Sequence, residues 1–342
     1  MWIIRSILGE FHSGIIKILR NKSILDLLDE YLVGGVYRSS VSYDCIYYKR
    51  NGPVLSGKTF SSKDTKNTGI KNKINVFLSS YCHYNVHNKG IKLFEGTEVL
   101  ISSSQTEYKV FDYTRHQVLT LYNSREKMKA VNANKLFFED CFNIPKTISY
   151  NDNCSYVIEE LIKHEAINLE EAVVYIGNEI CDYFYSHREA FYSNEELFDE
   201  QCSLFENRFG RSVLLHEKAG SIVAPTHGDL WSSNVIYNGE KYYVTDFERV
   251  GERYFLFDFF TFIFSEWLLN SNSILIENYF SGCYDGLLNR MFSSTPIRFE
   301  KDKKNEYILS FLVAITYERW RNYSVIDEAI QRFINTYTPT YK

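Results

Sequence analysis

The stretch Thr226-His227-Gly228-Asp229-Leu230-Trp231-Ser232-Ser233-Asn234, followed by Thr245-Asp246-Phe247-Glu248, constrains this chain more than any other. It sets a carboxylate, an amide five residues later, and a second carboxylate beyond a strand-like run. These residue types suit one kind of chemistry. A carboxylate can orient a hydroxyl and take its proton. An amide carbonyl and a further carboxylate are hard oxygen ligands for a divalent cation.

Local structure brings the three together. Val235-Ile236-Tyr237 and Glu240-Lys241-Tyr242-Tyr243-Val244 are strand-like, and Asn238-Gly239 between them reads as a two-residue type I′ turn. In that register Tyr237 faces Glu240 and Asn234 faces Tyr243. Asp246 then lies three residues past Tyr243, about 10 Å at strand rise. Asn234 and Asp246 share the open end of one hairpin, and Asp229 enters from the loop before it.

His227-Gly228-Asp229-Leu230-Trp231-x-x-Asn234, then Asp246-Phe247-Glu248, then Phe257-Asp258 ahead of an apolar helix, resembles the aminoglycoside phosphotransferase and choline kinase superfamily. That superfamily also holds fructosamine kinases and bacterial surface-sugar kinases. The resemblance is specific over residues 220–265 and diffuse over 97–220, and it does not cover the first 95 residues. It implies a protein-kinase-like fold, α+β and bilobal. Residues 96–162 would form a small β-rich N-lobe and 163–342 a mostly helical C-lobe carrying the catalytic loop. Residues 1–95 would be an N-terminal extension of helices followed by extra β structure. It also implies Asp229 as catalytic base, Asn234 and Asp246 as Mg²⁺ ligands, ATP or GTP as phosphate donor, and a hydroxyl of a small molecule or saccharide as acceptor. A bacterial surface sugar or amino sugar lies within the family's breadth. Asp258 would brace the catalytic loop, and His227 would support it rather than react.

The N-lobe order is readable. Glu98 to Ser102, Glu107 to Tyr113 and Gln117 to Tyr122 read as strands, Arg125 to Phe142 as a helix, and Thr147 to Tyr150 and Tyr156 to Leu161 as two more strands. Glu159-Glu160-Leu161-Ile162 is then the hinge, with Glu160 and Ile162 offering backbone groups to a nucleotide base. The loop Ser102-Ser103-Ser104-Gln105-Thr106 would cover the phosphates through hydroxyls and amides. Two expected groups stand elsewhere. Thr120 occupies the strand position where the resemblance implies a phosphate-pairing lysine, and Asn132 stands near the place of its helical Glu partner. Lys109, on the preceding strand, is a candidate to supply the missing charge. Without such a pair the alternative reading is a catalytically impaired binding module.

Gly52-Pro53-Val54-Leu55-Ser56-Gly57-Lys58-Thr59 matches the phosphate-binding pattern G-x-x-x-x-G-K-[ST]. That pattern needs a helix after it. Residues 60–72 are rich in Ser, Lys, Asn, Thr and Gly and lack an apolar stripe, so a hairpin fits better.

Downstream of the hinge, Leu169 to His187 reads as a helix. Ser193-Asn194-Glu195-Glu196 has the form of a capping box opening another. Further helices are expected near 258–270, 274–291 and 303–321.

Residues 2–32 show an apolar stripe of near-helical period, interrupted at Asn21-Lys22-Ser23. A helix over 2–19 could lie in a membrane surface, but the few cations in and beside it (Arg5, Lys17, Arg20, Lys22) favour packing on the protein. No apolar run reaches spanning length, and Arg5, Glu10 and His12 interrupt what a signal peptide would need. A net charge of −5 gives no footprint for nucleic acid. The seven cysteines show no C-x-x-C pair or metal-ligand spacing, so reduced thiols and a cytoplasmic setting are expected. Nothing in the sequence specifies an oligomeric state.

Overall fold

The computed structural model describes residues 16, 18–39, 45–48, 84–86, 94–101, 107–210, 217–319 and 324–337. The glycine-lysine pattern at 52–59, the loop residues Ser102, Ser103 and Ser104, and nearly all of the 2–19 stripe lie outside them. The chain is α+β and divides into two compact units. Met1–Val131 with Pro145–His164 makes the first, and Asn132–Ile144 with Glu165–Lys342 the second.

The first unit is built on one eight-stranded sheet. Its strands are β1 (Gly35–Ser39), β2 (Cys45–Tyr48), β3 (Tyr84–Val86), β4 (Glu98–Ile101), β5 (Glu107–Asp112), β6 (Gln117–Tyr122), β7 (Thr147–Asn151) and β8 (Tyr156–Glu160), in the order β3-β1-β2-β4-β5-β6-β8-β7. Every pairing is antiparallel. The boundary expected near residue 95 falls inside this sheet, because β2 pairs directly with β4.

Period-two alternation separates two faces of this sheet. Val99 and Ile101 of β4, Val110 of β5 and Leu119 of β6 are buried on one face, against Ile24, Leu25, Leu28 and Leu32. Residues 18–27 form the helix α1 that supplies part of this cover. The interruption expected at Asn21-Lys22-Ser23 is absent. The helix runs through it, with Asn21 buried and its Oδ1 accepting from the Arg20 guanidinium at 3.3 Å. On the opposite face of β5 and β6 stand Glu107, Lys109, Phe111, Val118, Thr120 and Tyr122.

Helix α2 (Arg125–Phe138) follows β6. It stops short of the expected Phe142, since the N–H groups of Cys141 and Phe142 both turn back to the Phe138 carbonyl. In the second unit come α3 (Leu169–Ser186), α4 (Glu195–Phe209), α5 (Phe257–Asn270), α6 (Ile274–Ser281), α7 (Asp285–Ser293), α8 (Lys304–Arg319) and α9 (Ser324–Tyr337). Asn194, not Ser193, caps α4. Its side chain accepts the Leu197 N–H at 3.0 Å, while Ser193 bonds Ser221. The single helix expected over 274–291 is two, broken at Gly282, whose φ of 99° is left-handed. α5 is buried on nearly every side and mostly apolar, with Phe257, Phe259, Phe260, Phe262, Ile263 and Phe264 each at most 1% exposed. Such a helix belongs in a core, and it packs against α3, α6 and α8. Among the described residues no helix is long and apolar enough to cross a membrane.

Two small sheets complete this unit. One is β9 (Tyr192–Ser193), β10 (Ile222–Thr226) and β13 (Gly251–Tyr254); the other is the hairpin of β11 (Val235–Tyr237) and β12 (Tyr242–Val244). β10 delivers the chain to His227, and the hairpin presents what lies at its base.

Candidate active site

The loop after β10 is fixed by one buried carboxylate. Asp258, in the first turn of α5, accepts the His227 N–H at 2.6 Å and the Gly228 N–H at 2.8 Å. Burial pushes the Asp258 carboxyl upward, while His227, the two N–H donors and Arg253 pull it down. A carboxylate so placed also meets the positive end of its own helix. Gly228 makes the turn with φ 77°, and a Cβ there would lie 2.3 Å from the Arg249 carbonyl and 2.5 Å from Arg253 Nη1. Only glycine fits.

His227 is fully buried and cross-links two segments. Its Nδ1 accepts the Asp229 N–H at 3.3 Å, so Nε2 carries the proton and donates to the Thr245 carbonyl at 3.1 Å. Burial lowers its pKa below the ordinary imidazole value. Both ring nitrogens are thus taken up by main-chain groups of the two segments.

Asp229 is half-buried, with Oδ1 accepting from Trp231 Nε1 at 2.8 Å. Asn234 Nδ2 donates to the Asp229 carbonyl at 2.8 Å and reaches Oδ2 at 3.5 Å. These bonds orient the amide and direct Oδ1, its acceptor, to other uses. Thr245 ties the next segment in, its N–H donating to the Asn234 carbonyl at 3.0 Å.

The hairpin register differs from the expected one. Tyr237 pairs with Tyr242, Ile236 with Tyr243 and Val235 with Val244. The turn is four residues long because the Asn238 side chain accepts both the Glu240 and Lys241 N–H groups. Asn234 therefore faces Thr245 rather than Tyr243. Asp246 is the very next residue, in left-handed backbone (φ 69°, ψ 64°) at the start of a 3-10 turn. Asp229 and Asp246 both act electrostatically on His227. Among the described residues no group of three His, Cys, Asp or Glu side chains is arranged to hold a metal. Asn234 Oδ1 and the Asp246 carboxylate, on these neighbouring segments, are the hard oxygen donors that could hold a divalent cation.

The residues expected to meet a nucleotide fare unevenly. Lys109 stands on the polar face of β5, directly opposite Thr120. The Glu160 N–H is donated to the Lys146 carbonyl at 2.9 Å, so of its two backbone groups the expected hinge role falls to the carbonyl. Ile162 is buried at 8% exposure.

Two residues gain weight here. Trp231 is buried and orients the Asp229 carboxylate. Arg253 lies beneath Gly228, bonding Thr226 Oγ1 at 3.2 Å and Glu318 at 3.1 Å. The aromatic in the motif hinted at the first. No sequence signal marks the arginine, whose place follows from β13 pairing with β10.

No protein-family model and no curated protein matches the chain. Solved structures do. The chain is similar to choline kinase LicA from Streptococcus pneumoniae, at 13% identity and a TM-score of 0.40, over 69% of this chain and 90% of that one. It is similar to macrolide 2'-phosphotransferase MphH from Brachybacterium faecium, at 11% identity and a TM-score of 0.42, over 67% and 88% of the two chains. It is also similar to an ethanolamine kinase from Plasmodium vivax, at 14% identity and a TM-score of 0.38, over 69% and 80%.

Proposed function

We propose that this chain is a phosphotransferase moving the γ-phosphate of ATP or GTP, with Mg²⁺, to a hydroxyl of a small molecule or saccharide. The observation that carries this is the anchored, half-exposed carboxylate of Asp229. Its loop hangs from Asp258 by two main-chain bonds, and one of its oxygens is held by Trp231. A general base needs such a fixed oxygen within reach of the proton it removes. Asp229 would accept the acceptor's hydroxyl proton as that oxygen attacks the γ-phosphorus and the nucleoside diphosphate leaves. Asn234 and Asp246 would hold Mg²⁺, which supplies charge neutralisation to the phosphates. Holding an amide carbonyl and a carboxylate beside the base fits that task better than a purely structural one.

The second reading, a binding module without catalysis, draws on Thr120 and Asn132, which replace the charged pair expected on strand and helix. Asp229→Asn separates the two readings. It should bind Mg²⁺-nucleotide like the parent, while transfer falls by about two to four orders of magnitude, the range for losing a general base. Asp246→Asn should abolish Mg²⁺-dependent nucleotide turnover in a folded protein. Calorimetry beside a transfer assay over a panel of amino sugars and other alcohols is the measurement. A parent protein that binds nucleotide yet transfers to no acceptor and releases no phosphate would favour the binding module.

A further inference from the structure

The first unit contains a charged cluster that the catalytic loop does not use. Glu107 opens β5 with its side chain only 5% exposed. Its Oε1 lies 3.4 Å from Lys109 Nζ on the same strand, and its Oε2 lies 3.8 Å from Lys127 Nζ on α2. The two lysines are 28% and 23% exposed. Lys127 also stands over the Tyr122 ring, 5.9 Å from its centroid. Register explains the convergence. Glu107 faces Tyr122 and Lys109 faces Thr120 across the β5–β6 ladder, so all four project from the polar face.

We propose that Glu107 positions Lys109 to bind nucleotide phosphates, with Lys127 tying α2 to the same carboxylate; this rests on the phosphotransferase reading above. Opposed residues of an antiparallel pair carry Cβ atoms about 5 Å apart. A lysine stem spans that distance, so the Lys109 ammonium can serve the place where Thr120 puts none. Glu107, two residues earlier on the same face, orients that ammonium. Kinases elsewhere take the lysine from a strand and its carboxylate from the helix. Here the strand supplies the carboxylate, and the helix supplies a second lysine. Lys109 is the residue that touches phosphate; Glu107 and Lys127 act through it. This arrangement answers the missing Lys–Glu pair without requiring Asn132.

A staple that merely joined α2 to the sheet would not read phosphate, and the test turns on that difference. ATP with Mg²⁺ and adenosine alone would be titrated calorimetrically against the full chain, Lys109→Met, Glu107→Gln and Glu107→Asp, each checked by thermal melting. Lys109→Met should weaken ATP about 10- to 100-fold, the equivalent of one charge-assisted hydrogen bond, and leave adenosine unchanged. Glu107→Gln should lose part of that factor, again for ATP only, and Glu107→Asp should recover some of it. Wild-type ATP affinity in both Lys109→Met and Glu107→Gln overturns the proposal, and so do equal losses for ATP and adenosine. Should Glu107→Gln not fold, Lys109→Met alone decides. A parent chain that binds neither ATP nor adenosine removes the phosphotransferase reading and this proposal with it. A parent that binds ATP, with indifferent variants, removes this proposal only.

Discussion

Asp258 in the second unit and Glu107 in the first are both buried carboxylates, 6% and 4% exposed, and they are held differently. Asp258 accepts two consecutive main-chain N–H groups from a loop that a glycine bends. Glu107 faces two lysine ammoniums on flexible stems. Main-chain donors cannot leave without unfolding the loop, so Asp258 fixes geometry. Lysines can shift toward another anion, so Glu107 holds charge in readiness. In the proposed reaction the first kind of site suits the base, which must not move. The second suits a site where an incoming phosphate competes for the ammonium.

Stability should separate the two most strongly. Asp258→Asn replaces an acceptor of two N–H groups with an amide that offers one carbonyl and brings donors of its own. The expected cost is about 3 kcal/mol, in line with losing charge-assisted hydrogen bonds to buried donors. Glu107→Gln should cost about 1 kcal/mol or less, since partly exposed ammoniums return to water. Chemical denaturation followed by hydrogen exchange in each unit would compare them. Equal costs would break the distinction between fixed and exchangeable partners.

Gly228→Ala should come next. It places a Cβ at φ 77° and against the Arg249 carbonyl. A left-handed alanine alone costs about 1–2 kcal/mol, and relieving the contact moves Asp229. Transfer should then fall by about 100-fold, as expected for a misplacement near 1 Å. A variant with parental transfer rate would show that the loop is less fixed than its bonds imply.

The two units were also unequally legible in sequence. In the second, the chemistry-bearing residues are close in sequence, so spacing alone placed Asp229, Asn234 and Asp246 together. Even there the hairpin register was off by two. Asn238-Gly239 suits a two-residue turn, and only the Asn238 side chain, accepting from residues 240 and 241, selects the longer one. In the first unit the strand order from Glu98 to Glu160 was readable from alternation and turns. Lys109 was a candidate by strand position, but Glu107 and Lys127 were not. Their meeting depends on where α2 lies against β5, which no local pattern encodes. Strands β1 to β3 were expected as extra structure, yet their membership in the same sheet follows from β2–β4 pairing across about fifty residues. Arg253 was unreadable for a similar reason, since its partners Thr226 and Glu318 are distant in sequence.

The smallest expected effect concerns pH, and it probes whether the main-chain bonding of the second unit extends to His227. The ring accepts the Asp229 N–H at Nδ1 and donates from Nε2, so protonation would set two N–H groups against each other. Burial lowers its folded pKa, against the pull of Asp258, Asp246 and Asp229 around it. The unfolded value is the ordinary one, about 6.5. Between the two values the unfolded chain binds a proton that the folded chain refuses. The contribution of His227 is therefore complete above about pH 6.5 and is lost as pH falls toward the folded value. Asp258, pushed upward by burial, contributes with the opposite sign, and losing His227, one of the groups that pull it down, enlarges that contribution in the variant and so widens the difference in the same direction. His227→Asn keeps a side-chain acceptor for the Asp229 N–H and does not titrate. Denaturation midpoints from about pH 7.5 to about pH 5 should fall more steeply for the parent, by at most about 1.4 kcal/mol per pH unit for one proton. Parallel curves would mean that His227 protonates as easily folded as unfolded, and that the loop tolerates a charge its bonds should forbid.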